Sequence, residues 1–141
     1  KLPLPLNDNS YDFSFSGLKS AVINLVHNEE QRGNEIRKKD LATSFQNTVV
    51  EIITKKTMKA LKDYQVNNLI VAGGVAANKG IREKLASLCE KENINYSFPD
   101  IKYCTDNAAM IAASGYHAYI LGERADLTLN PKSSLELSND K

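Results

Sequence analysis

The chain has no tryptophan and only two cysteines, Cys89 and Cys104, which lie fifteen positions apart. That spacing fits neither a zinc knuckle nor a disulfide framework, so a reducing, cytoplasmic setting is the default. Histidine is equally scarce: His27 and His117 stand alone, and without an H-E-x-x-H sequence a zincin-type peptidase has no support. Neither a Walker A loop nor a G-x-S-x-G elbow is present. Net charge is lacking too, because 18 Lys+Arg against 17 Asp+Glu leave only +1. Binding nucleic acid by bulk charge alone calls for a more basic protein. Any RNA contact is therefore local, shared with a partner, or made by residues outside this sequence. No apolar run approaches the roughly 18 residues of a transmembrane helix. Lys1 to Leu6, punctuated by Pro3 and Pro5, has no apolar core of a signal peptide. No membrane is expected. The absence of an initiator Met, and a first segment that reads like a mid-chain loop, point to a piece of a longer protein.

What is there is enough for one core: 141 residues, 42% of them hydrophobic. The organising stretch is Asn68 to Arg82. Leu69-Ile70-Val71-Ala72 reads as a buried strand, since no polar residue interrupts it. Gly73-Gly74 breaks it, and Ile81, Leu85 and Leu88 resume at helical spacing. Glycines without Cβ atoms can adopt backbone angles closed to other residues and admit a flat or charged group. A tight turn with no ligand explains the same letters.

Before this stretch, Leu2 to Leu6 is extended, as each proline disfavours helix in the residue before it. Asn7 to Ser10 is turn chemistry, and the alternation in Tyr11 to Ser16 has the period of a half-buried strand. A helix is expected from Ser16-Gly17 to about Asn28, with Ser16 as N-cap and Leu18, Val22, Leu25 and Val26 as its stripe. Glu29 to Lys39, charged and containing Gly33, reads as a solvated connection, with a helical second half as the other reading. Asp40 is then the expected N-cap of the longest helix, with Leu41, Phe45, Val49, Ile52 or Ile53, and Ala60 or Leu61 at helical spacing. Lys55, Lys56, Lys59 and Lys62 near its end complement the helix dipole as a solvated face, with an RNA-facing role as the other reading.

After the organising stretch, Ile94 to Phe98 is a second strand and Ile101 to Thr105 a loop or a short strand. Asn107 to Leu121 is an alanine-rich helix whose small residues admit a close neighbour, and Gly122 marks its stop. From Glu123 the chain is polar and expected to be loosely held or disordered. The β-α-β-α order implies a parallel pair, which is too small a sheet to stand alone. Further strands are expected upstream of Lys1.

Two residues stand where chemistry is possible. Asp106 or Thr105 can cap the last helix, yet Asp106 also follows a strand region at the sheet edge where α/β folds place ligands, and a carboxylate there can bind a metal. His117 is too far along the same helix to assist, about 16 Å away at 1.5 Å per residue, and reads as a partly buried packing residue. Asn78 can cap the helix after the glycines or offer a donor and an acceptor to a ligand. Cys104 reads as a buried structural thiol.

Three blocks together carry a resemblance. Tyr11-Asp12-Phe13-Ser14-Phe15-Ser16-Gly17-Leu18-Lys19, then Val71-Ala72-Gly73-Gly74-Val75-Ala76-Ala77-Asn78, then Cys104-Thr105-Asp106-Asn107-Ala108-Ala109-Met110-Ile111-Ala112 resemble the C-terminal half of the bacterial TsaD family. These are tRNA threonylcarbamoyladenosine transferases, long labelled O-sialoglycoprotein endopeptidases or Gcp. The likeness runs from about Pro3 to Gly122. It implies an α/β fragment of an actin-like, sugar-kinase-like ATPase (ASKHA) fold, helix-rich with a small parallel sheet, over residues 1–122, followed by a polar tail over 123–141. It also implies transfer of threonylcarbamoyl from threonylcarbamoyl-AMP to N6 of the adenosine beside the anticodon of tRNA, in the cytoplasm. Its implied partners are a catalytically degenerate paralogue (TsaB) and a small ATPase (TsaE).

By position, Asn78 matches the family's substrate-binding asparagine, Gly73 and Gly74 the backbone against the adenylate, and Asp106 the aspartate that completes a divalent metal site of Fe or Zn. The family's metal-binding histidines lie in an H-x-x-x-H motif that this chain lacks, as it lacks the other acidic substrate-binding residues and the phosphate-contacting glycine segments. Its Asn130-Pro131-Lys132 also leads into serine and acid rather than an arginine-containing tail. The expectation is a chain with half an active site, inactive alone. The alternatives are a metal-dependent glycoprotein endopeptidase, the historical label, or a non-catalytic actin-like lobe that binds partner proteins.

Overall fold

The computed structural model describes residues 2–131, 133 and 134. They fall into two compact units, Lys1–Thr105 and Asp106–Lys141. The first unit holds α1 (Ser16–Gln31), α2 (Lys38–Asp63), β1 (Asn68–Ile70), α3 (Lys79–Lys91) and β2 (Asn95–Ser97), with short 3-10 helices at Gly74–Ala77 and Ile101–Tyr103. The second holds α4 (Ala108–Ile120). Residues 123–131 are exposed; the expectation of a loosely held tail falls, for residues 132 and 135–141, outside the described residues.

The core of the first unit starts from the proline-rich segment. Leu2, Leu18 and Ile52 are buried together, with Leu4, Val22, Leu41 and Val49 around them. Leu2 and Leu4 point the same way because an extended chain repeats every two residues. Leu18 and Val22 meet them because helical residues four apart share a face. Burying a leucine fully contributes about 1.5–3 kcal/mol. A second cluster forms where α3 packs on α2 and the strands, through buried Ile81, Leu85 and Cys89, so the inward position is Cys89 rather than Leu88. Leu25 and Phe45, expected on inward stripes, are partly exposed.

The two strands pair in parallel, with Asn68 opposite Asn95, Leu69 opposite Tyr96 and Ile70 opposite Ser97. The Val71 N–H donates to the Ser97 carbonyl at 3.1 Å and the Asn95 N–H to that of Asn67 at 2.9 Å. The run is not buried as its letters suggested: Ile70 is 81% exposed while Leu69 is half-buried. Successive side chains leave opposite faces of a strand, and the helices cover one face only.

Tyr11 to Ser16 is not a strand either. Among the described residues it pairs with no other strand, and the Phe13 and Phe15 rings stack on each other, 6.4 Å apart and 14° from parallel. Nor do the expected caps hold. Helix α1 begins at Ser16 with Phe15 in the cap position, and α2 begins at Lys38 with Asp40 inside its first turn, 2.9 Å from Arg37. In α4, among the described residues, no heavy atom lies within 4 Å of a Cβ built on Gly115. Gly122 does end that helix, at φ +82°.

The lysines of α2 are not simply a solvated face. Lys56 is buried, and its ammonium donates to Asp8 Oδ1 and the Ser10 carbonyl at 2.8 Å each, and to Ser10 Oγ at 3.1 Å. That satisfies all three of its N–H groups. Lys55 donates to Asn7 Oδ1 at 2.5 Å. Lys59 pairs with Asp63 and lies 4.4 Å over the Tyr11 ring. Lys55, Lys56 and Lys59 thus strap residues 7–11 onto α2, with Lys56 alone buried. The Lys56 ammonium, and after it the Ser10 hydroxyl, lower the Asp8 carboxyl from 3.8 to about 2.

A carboxyl depressed in the folded state stabilises it fully above the unfolded value and loses that contribution as pH falls through the folded one. The strap is therefore expected to release between about pH 4 and about pH 2. The amide of Ser10, which donates to Asp8 Oδ1 at 3.1 Å, reports it by NMR. A midpoint at the ordinary carboxylate value is the result that overturns it.

Candidate functional site

The turn from β1 to α3 is built on one glycine rather than two. Gly73 sits at φ +89°, ψ 168°, a region open to almost no residue with a Cβ. Gly74 lies at no such angle, and a Cβ there meets only Thr105 Cγ2 at 3.9 Å, an ordinary contact. The glycines do not feed the helix directly. The 3-10 helix Gly74–Ala77 intervenes, with the Ala76 N–H donating to the Gly73 carbonyl at 2.9 Å and the Asn78 N–H to that of Val75 at 3.0 Å. Ala76 is buried beneath it while Gly73, Gly74 and Val75 are exposed. Bare backbone therefore faces outward over two residues, pinned from below.

Asn78 ends this turn in an extended conformation and caps α3, its Oδ1 accepting from the Ile81 N–H at 3.1 Å. Its Nδ2 enters no hydrogen bond among the described residues. The two functional groups of the amide are thus divided: the acceptor serves the helix, and the donor has no partner among the described residues. Asn78→Ala is expected to cost about 1 kcal/mol through the lost cap, whereas Asn78→Asp keeps a capping oxygen. If Nδ2 also serves a ligand, Asn78→Asp in the full-length protein should preserve the denaturation midpoint yet bind that ligand about tenfold more weakly, since a hydrogen-bond donor is replaced by a carboxylate. Equal binding by both would assign Asn78 to the helix alone.

Arg82, one turn further on, was legible only as a residue of this stretch. Its Nε donates to the Ala76 carbonyl, and its Nη2 to the Pro99 carbonyl at 2.6 Å and to Cys104 Sγ at 3.1 Å. Cys104 is buried and its thiol also faces the Asp100 carbonyl at 3.7 Å, as fits a structural thiol. No local pattern in the sequence points to these partners, two of which lie seventeen and twenty-two residues away.

The cap of α4 is Asn107, not Asp106 or Thr105. Asn107 is extended at φ −150°, and its Oδ1 accepts from the Met110 N–H at 3.0 Å. Asp106 begins the second unit, is exposed, and enters no hydrogen bond or ion pair among the described residues. Gly73, Gly74 and Asn78 share one turn of the first unit. His117 is exposed, with its ring edge-on to Tyr116 at 5.7 Å, and is not the partly buried packing residue expected. No three His, Cys, Asp or Glu side chains gather among the described residues. Zinc and iron sites take three or more protein ligands, so one exposed carboxylate does not by itself fit a divalent metal.

A parallel strand pair opening through exposed backbone into a capped helix is α/β architecture, and in α/β folds ligands bind at such strand ends. The family model described as TsaD, tRNA N6-adenosine threonylcarbamoyltransferase, matches residues 1–113, and the chain belongs to that family. Its helix-rich α/β architecture with a small parallel sheet is accordingly part of an actin-like, sugar-kinase-like fold. The curated tRNA N6-adenosine threonylcarbamoyltransferase of Staphylococcus saprophyticus is 57% identical over 94% of this chain. Those of Staphylococcus epidermidis and Staphylococcus haemolyticus are 56% and 54% identical over the same share. The chain spans 39% of the length of each. Gly73, Gly74, Asn78 and Asp106 all lie within the matched residues.

Proposed function

We propose that the protein containing this sequence is a tRNA N6-adenosine threonylcarbamoyltransferase, moving threonylcarbamoyl from threonylcarbamoyl-AMP to the adenosine beside the anticodon. The observation that carries the reading is the Gly73–Asn78 turn, lying inside the family match, with its exposed backbone and the unpaired amide of Asn78. In this reading the turn's backbone lies against the flat adenylate, and Asn78 Nδ2 donates to an acceptor on it. The structure favours such a role because the turn is fixed before any ligand arrives, which lowers the ordering cost of binding. Asp106 would supply one ligand to a divalent metal, Fe or Zn, whose other ligands would come from outside this sequence and which would polarise the acyl group as a Lewis acid. Held against this turn, the adenylate would present its acyl group to the tRNA amine. The working assembly includes a degenerate paralogue and a small ATPase, and it acts in the cytoplasm; among the described residues no helix is long and apolar enough to cross a membrane.

Full-length protein given threonylcarbamoyl-AMP and tRNA is expected to form the modified adenosine, and to leave a sialoglycoprotein uncut. Cleavage of the glycoprotein without modification of tRNA would overturn the reading. The 141-residue chain alone is expected to be silent in the same assay and to bind Fe²⁺ or Zn²⁺ only weakly by calorimetry. Tight one-to-one binding would contradict the half-site.

A further inference from the structure

We infer that Arg82 is a positioning residue that locks the Gly73–Asn78 turn to the Pro99–Cys104 segment, so that the two move as one body. The inference rests on the transferase reading for its activity test, and on geometry alone for its structural test. Arg82 forms no ion pair among the described residues. Its guanidinium is instead held by two backbone carbonyls and a thiol, with the Phe98 ring 5.2 Å from Cζ. One carbonyl, that of Ala76, belongs to the turn; the other, Pro99, and the Cys104 thiol lie seventeen and twenty-two residues away in sequence.

A guanidinium is suited to this because it is planar, stays charged, and presents its donors in a rigid fork. Lysine offers a point charge on a flexible stem, which can satisfy one of these acceptors but does not fix their mutual angle. The partners also explain why the segments matter together. The Ala76 carbonyl sits between the exposed glycines and Asn78, and Cys104 lies two residues before Asp106 in the chain. Arg82 thus ties the segment offered to the adenylate to the segment leading into the candidate metal ligand.

The test uses the full-length protein with Arg82→Lys and Arg82→Ala. If the turn is misplaced, adenylate binding weakens equally in the ground and transition states, so KM rises while kcat holds. A rise of roughly tenfold in KM is expected for both variants, the scale of one lost charge-assisted hydrogen bond. Added guanidinium should lower the KM of Arg82→Ala back toward wild type and leave that of Arg82→Lys unchanged. A purely structural role would instead reduce the amount of active enzyme, lowering apparent kcat at constant KM, and that outcome overturns the inference.

Hydrogen exchange decides it independently of the chemistry. In Arg82→Lys the amides of Ala76, Asn78 and Cys104 should lose protection together, while those of Leu85 to Cys89 in α3 keep theirs. Loss in one segment only, or in neither, overturns the inference even if the wild-type enzyme is fully active. If the wild type transfers nothing to tRNA, the transferase reading fails while the exchange result still stands or falls by itself.

Discussion

Asp106→Ala in the full-length protein is expected to abolish threonylcarbamoyl transfer while leaving the fold as stable as before. The second half of that expectation comes from the structure. Asn107 rather than Asp106 caps α4, and the Asp106 carboxylate is exposed with no hydrogen bond or ion pair among the described residues. Substitutions at such positions change stability by no more than about 0.5 kcal/mol. The variant should therefore unfold at the wild-type denaturant concentration with the wild-type slope. The first half follows from the proposed metal role. Outer-shell partners of metal ligands cost roughly 10–100-fold in affinity or activity when removed, and a direct ligand should cost at least as much. The bound metal measured in purified protein should fall along with transfer. Unchanged tRNA modification by Asp106→Ala would remove this residue from the site. A loss of activity together with a lowered unfolding midpoint would return it to a structural role.

What the sequence disclosed depends on the range over which each feature is determined. The strand, glycine break and helix of Asn68–Arg82 were legible because an apolar run, a breaker and a helical period are all local. The parallel pairing followed from element order, because a strand, a crossover helix and a second strand leave little alternative. Caps were misplaced by a few residues, at Ser16, at Asp40 and at Asp106 or Thr105. At α4, Thr105, Asp106 and Asn107 in a row offer equivalent oxygens, whereas α1 and α2 start where the backbone turns, at Phe15 and Arg37, with no side-chain cap at all.

Lys56 was not legible because its partners, Asp8 and Ser10, lie 48 and 46 residues away in the chain. Nothing in a lysine-rich helix end says which side chain turns inward. Ile70 misled for the opposite reason. Its hydrophobicity indicates a buried face, but how much of a strand is covered depends on which layers surround the sheet. Of the candidate site, the residue types at Gly73, Gly74, Asn78 and Asp106 were legible. That only Gly73 needs to be glycine, and that Asn78 divides its two functional groups between helix and solvent, required backbone angles and atoms.

Gly73→Ala is expected to destabilise the full-length protein by about 1–3 kcal/mol, whereas Gly74→Ala should be nearly neutral, within about 0.5 kcal/mol. The contrast separates backbone strain from steric filling, for which space is available at both positions. No heavy atom lies within 4 Å of a Cβ built on Gly73, and at Gly74 the nearest is Thr105 Cγ2 at 3.9 Å. What differs is that Gly73 holds φ +89° and ψ 168°. An alanine there must either keep those angles at a cost or relax them. Relaxing them swings the Gly73 carbonyl away from the Ala76 N–H that it accepts at 2.9 Å. The 3-10 helix then loosens, and with it the Ala76 carbonyl that Arg82 holds.

Gly73→Ala should therefore bind adenylate more weakly as well as unfold earlier, and Gly74→Ala should do neither. Urea midpoints at constant slope measure the first effect, and equilibrium binding of a threonylcarbamoyl-AMP analogue measures the second. Equal losses in the two variants would mean that crowding against a ligand, not the conformation of Gly73, is what excludes a side chain from this turn.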